Sequence, residues 1–62
     1  MEGRMTIDDI KERFGKSVFG KAVMMSPASE QEVEHGNLLY RIKRNIIMWH
    51  YDVRIVGEAP AT

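Results

Sequence analysis

Ile46-Ile47-Met48-Trp49-His50-Tyr51-Asp52-Val53-Arg54-Ile55-Val56 is the stretch that decides how this chain folds. From Ile47 onward every second side chain is large and apolar, which is the period of a β-strand. Ile47, Trp49, Tyr51, Val53 and Ile55 fall on one predicted pleat face; Ile46, Met48 and Val56 share the other with His50, Asp52 and Arg54. A chain of 62 residues has few ways to cover such a strand, so it constrains the architecture more than any other segment.

Upstream, Leu38 to Arg44 alternates less regularly, with Leu38, Tyr40 and Ile42 on one side and Leu39, Arg41 and Lys43 on the other. It reads as a second strand, and Arg44-Asn45 as the turn into the final one, which together predict an antiparallel hairpin at the core. Ser26-Pro27 is a stop for what precedes it and a good helix start. Ala28 to His35 then reads as a polar helical turn or two, or a surface loop, because only Ala28 and Val33 are apolar there; Gly36-Asn37 ends it. Lys16 to Met25 is ambiguous: Val18, Phe19, Ala22 and Val23 suit a buried helix face, yet Val18 to Met25 is also short and β-branched, with strand slightly preferred. Gly20 weakens either choice. Thr6 followed by Asp9 predicts a capped helix over Ile7 to Phe14, with Ile7, Ile10 and Phe14 as its apolar stripe and Gly15 as its end. The expectation is one small α+β domain over residues 1–62. It comprises a short N-terminal helix, an ambiguous second element, a short polar helix or loop and a C-terminal antiparallel β-hairpin, with residues 58–62 as a frayed tail.

Composition bounds the chemistry. There is no cysteine, which excludes disulfides, thiolate metal sites and a nucleophilic thiol. Nine Lys and Arg balance nine Asp and Glu, removing the usual long-range attraction to nucleic acid or anionic lipid. No apolar run approaches the roughly 20 residues of a membrane span, and Met1-Glu2-Gly3-Arg4 lacks the apolar core of a secretory signal, so a cytosolic, membrane-free protein is expected. His35 and His50 show no metal-ligand spacing, Asp8-Asp9 and the glutamates read as solvated surface charge, and no glycine-rich phosphate loop is present. No cofactor, metal or catalytic residue is expected, and the chain does not read as an enzyme.

Two charge blocks stand out: Glu30, Glu32 and Glu34 in a segment without Lys or Arg, and Arg41, Lys43 and Arg44 shortly after it. Arg41, Lys43 and Arg44 with Tyr40 and Trp49 have the composition of a single-stranded nucleic-acid surface, against which stands a core tryptophan beside a solvated cationic edge. Hydrophobic residues make up 44% of so short a chain, and the five methionines include Met24, Met25 and Met48, so apolar surface is expected to remain for a partner. Self-association through paired hairpin edges, or through Ile46, Met48 and Val56, is the simplest outlet, making a homodimer the expected state.

Residues 1–15, through Met1, Glu2, Arg4, Thr6, Asp9, Arg13, Phe14 and Gly15, resemble the opening of the Cro repressors of lambdoid phages. The family plan of helices followed by a dimer-forming hairpin fits Leu38 to Val56 in order and length. The resemblance implies a phage or prophage origin and operator binding by a helix-turn-helix. Where that family places its reading helix, this chain carries Pro27-Ala28-Ser29-Glu30-Gln31-Glu32-Val33-Glu34, whose carboxylates repel phosphates.

Two functions follow as expectations. The first is a small non-enzymatic protein-interaction module, a phage-type regulator or inhibitor of a host protein, binding through Glu30, Glu32, Glu34, Ile46, Met48 and Val56. The second is a dimeric Cro-like DNA-binding repressor with contacts from Lys16, Lys21, Arg41, Lys43 and Arg44. Charge geography separates them, because the first needs the three glutamates exposed together and the second needs them hidden.

Overall fold

A computed structural model describes residues 3–47 and 49–60. The chain runs β1 (Gly3–Thr6), α1 (Ile7–Phe14), α2 (Lys16–Val23), β2 (Glu30–His35), β3 (Leu38–Arg44) and β4 (His50–Glu58). The strands form one antiparallel sheet in the order β1-β4-β3-β2, so the fold is α+β with the predicted C-terminal hairpin at its centre. Both helices lie on one face of that sheet, as the burial of Ile10, Phe14, Val18 and Ala22 with the sheet residues Met5, Val33, Tyr40, Ile42, Tyr51 and Val53 requires. Among the described residues nothing covers the opposite face. Among the described residues no helix is long and apolar enough to cross a membrane.

Local chemistry explains the first helix. The Thr6 hydroxyl accepts from the Asp9 amide at 3.2 Å while the Asp9 carboxylate accepts from the Thr6 amide at 3.1 Å, a reciprocal capping box. Gly15, at φ 96°, closes α1 and lets the chain start α2 at once, a backbone angle that side-chain-bearing residues resist.

Lys16 to Met25, for which a strand was slightly preferred, is helical through Val23. Val18 and Ala22, four apart, both face the core, while Lys16, Ser17, Gly20 and Lys21 face water; a strand would have sent Gly20 inward with them. The buried Tyr51 hydroxyl donates to the Ala22 carbonyl at 2.8 Å and pins the end of α2 to the sheet.

The polar helical turn or loop predicted for Ala28 to His35 is instead a turn followed by a strand. Ser29 bonds the Ser26 carbonyl through both its amide and its hydroxyl, and Ala28 takes φ 69°, so Ser26-Pro27 opens a tight turn rather than a helix. Glu30–His35 then pairs with β3 residue by residue, from Glu30 opposite Lys43 to His35 opposite Leu38, across a Gly36-Asn37 turn. Val33 alone cannot anchor a helix, but in a strand it points inward between Gln31 and His35.

The β3 boundaries agree with the sequence reading, and Tyr40 and Ile42 are buried as expected. The final strand starts later than predicted. It begins at His50, and residues 45–47 and 49 lie outside both strands in place of the expected Arg44-Asn45 turn, so only Tyr51, Val53 and Ile55 of the predicted inner face point inward. Ile46 and Ile47 are exposed, and Trp49 is not a core residue. The strand also runs to Glu58, which pairs with Leu38, and the Ala59 amide donates to the Asn37 carbonyl at 3.0 Å; 61 and 62 lie outside the described residues.

Two stability measurements check these contacts. Thr6→Ala removes the capping hydroxyl and is expected to cost about 1 kcal/mol in urea denaturation. Burial raises the Tyr51 phenol above its ordinary 10.0, with Arg44 opposing. Folding therefore holds the phenolic proton more tightly, a contribution that is complete below pH 10 and disappears as the pH climbs through the folded-state value. Melting curves of the wild type are expected to drop more steeply above pH 10 than those of Tyr51→Phe, which itself costs about 1 kcal/mol at neutral pH through the lost hydrogen bond.

Candidate interaction surface

The β3–β4 loop carries the most conspicuous side chains of the molecule. Ile46 is 80% exposed, Ile47 56% and Trp49 40%, although such groups gain free energy by leaving water. Isolated exposed apolar residues need no explanation, but three within four positions do. Met48 lies outside the described residues.

The loop presenting them is tied down. The Asn45 amide donates to the His50 carbonyl at 2.8 Å and the His50 amide to the Ile47 carbonyl at 3.4 Å. The Asn45 side-chain amide donates to the Asp52 carboxylate at 3.2 Å. The Ile7 amide, one of the free donors of the first turn of α1, donates to the Trp49 carbonyl at 3.1 Å. Arg44 then fixes the indole. Its guanidinium carbon lies 4.8 Å from the centre of the Trp49 ring, in cation–π contact, and its Nη1 donates to the Met25 carbonyl. One arginine thereby holds the loop beside the C-terminal end of α2, where Met24 and Val23 are also exposed.

Trp49 sits at φ 53°, a left-handed conformation that costs a bulky residue about 1–2 kcal/mol. Strain of this kind persists only where surrounding contacts over-determine it, and it concentrates at functional positions.

The three glutamates stand together, exposed on the uncovered sheet face at alternate positions of β2. They are not all free, since Arg41 bridges Glu32 at 3.0 Å and Glu30 at 3.6 Å. Ile46 and Val56, predicted to share a strand face, are separated: Ile46 belongs to the loop and Val56 lies far along β4, where Tyr40 pairs with Ile55 and Leu39 with Gly57, leaving Val56 as the extra residue of a bulge.

The basic candidates are not gathered into one patch. Lys16 and Lys21 project from the exposed side of α2, Arg41 and Lys43 lie on the opposite, uncovered face of the sheet, and Arg44 is engaged with Trp49 and Met25. Residues 27–34, where a helix-turn-helix would place its reading helix, are turn and strand. His35 ends β2 with its ring edge-on to Phe14 at 5.1 Å, a packing role. Among the described residues no group of three His, Asp or Glu is placed to hold a metal ion.

Trp49 departs from the expected inner face because the strand period does not continue back through the loop that precedes His50. Asn45, read from the sequence as part of the turn, does mark the start of the loop, but nothing in the alternating run shows that the loop extends to Trp49. Comparison with family models, with curated proteins and with solved structures finds no match for this chain.

Proposed function

We propose that this protein is a non-enzymatic interaction module that docks Trp49, Ile46 and Ile47 into an apolar groove of a protein partner. The observation that carries the reading is a solvent-exposed tryptophan held at a positive φ by Arg44 and the Ile7 amide. Tryptophan leads the residues that dominate protein interfaces, and a side chain already ordered in the free protein loses little entropy on binding. The exposure of Glu30, Glu32 and Glu34 agrees with such a module and gives a nucleic-acid backbone nothing to attract it. The likeness of residues 1–15 to the Cro repressors supports a phage or prophage setting, in which the partner is a host protein that the module regulates or inhibits.

Trp49→Gly tests this without damaging the fold. Glycine relieves about 1–2 kcal/mol of left-handed strain, while the lost cation–π contact and the added chain entropy each remove about 0.5–1 kcal/mol. Loss of the shielded part of the indole, which is 40% exposed, costs about 1–2 kcal/mol more, so the unfolding free energy from urea denaturation is expected to fall by no more than about 2 kcal/mol. From a bacterial lysate, a protein retained by the immobilised wild type is expected to be lost on Trp49→Gly. Equal retention by both, with unchanged stability, would remove the loop from the function. Duplex DNA binding that weakens steeply from low to physiological salt would instead support the repressor reading.

A further inference from the structure

Among the described residues, strand β2 leaves one edge of the sheet unpaired along six residues, whereas the other edge, β1, offers four. The hydrogen-bond parity of β2 follows from its ends. The Arg44 amide donates to the Ser29 carbonyl at 3.0 Å, and the two-residue Gly36-Asn37 turn makes His35 and Leu38 the closing pair. Odd-numbered residues of β2 therefore bond β3, and the amides and carbonyls of Glu30, Glu32 and Glu34 point outward to the open edge. The same three residues place their carboxylates on the uncovered face. Arg41 serves Glu30 and Glu32 together, and Glu34, opposite Leu39, has no ion pair among the described residues.

An added strand would find main-chain partners at three positions and negative charge at each. A second copy of this chain does not suit that edge. Antiparallel pairing about Glu32 sets Glu32 against Glu32 and Glu30 against Glu34, and pairing about Val33 sets Glu32 against Glu34; like charges directly opposite are destabilising. We propose that the open edge of β2 is a second interaction surface, which takes an extended segment of a partner protein carrying lysine or arginine at alternate positions. Main-chain hydrogen bonds hold the segment and the glutamates select it. Its intervening side chains meet Gln31, Val33 and His35 on the helix side.

Amide hydrogen exchange with the peptide Thr-Lys-Thr-Lys-Thr-Lys-Thr at low salt tests the proposal. The outward amides of Glu30, Glu32 and Glu34 are expected to exchange about tenfold slower or more in its presence. The effect is expected to persist in Trp49→Gly, to weaken in Glu32→Gln and to vanish in Glu32→Pro, whose missing N–H is one the fold does not use. Retained protection of the Val33 and His35 amides shows that the proline variant is folded. No slowing, or equal slowing with a peptide whose lysines are clustered at one end, would overturn strand addition. Slowing that rises with protein concentration and needs no peptide would assign the edge to a second copy and overturn it equally.

Discussion

The hydrogen bond of one buried phenol, Tyr51, ties together the two layers of this molecule. Tyr51 lies in the middle of the sheet, is fully shielded from water and spends its hydroxyl on the Ala22 carbonyl near the end of α2. In a chain this short neither layer is stable alone, because a small domain buries too little apolar surface to tolerate a loose interface. The clamp also places Arg44. With its strand fixed beneath α2, that residue reaches both the Met25 carbonyl and the Trp49 ring, so the geometry of the exposed loop depends on the packing of the core.

Much of the fold was legible in local chemistry. The Thr6 and Asp9 cap and the Leu38 to Arg44 strand follow from contacts between residues near in sequence, and both were read with the right boundaries. What failed depends on tertiary context. Lys16 to Met25 carries residues suited to either element, and only the neighbouring sheet selects the helix that buries Val18 with Ala22. Glu30 to His35 was misread because one valine gives no hydrophobic period, yet its glutamates recur at every second position, the spacing of a strand. Strand β1, with Met5 as its one buried residue, left no periodic trace.

The candidate surface was legible only in part. The glutamates and Ile46 were singled out by charge and hydropathy, but Trp49 was assigned to the core because an aromatic residue in an alternating run is ordinarily buried. That rule breaks where a sequence keeps apolar groups outside for a purpose, and conflicts between local pattern and burial are expected at functional positions. Here the conflict falls on three residues of one loop.

The pairing of β1 with β4 bears on biosynthesis. Gly3 lies opposite Val53, so β1 has no sheet partner until β4, about 50 residues further along the chain, has been made. The two helices and the β2–β3 hairpin assemble from near neighbours, whereas closing the sheet at β1 joins the most distant segments and bears the largest loop-closure entropy. Nascent chains that stall before residue 50 would leave Met5 and the rest of β1 without a sheet partner, and that interval is the one in which the segment is most exposed to chaperones and proteases.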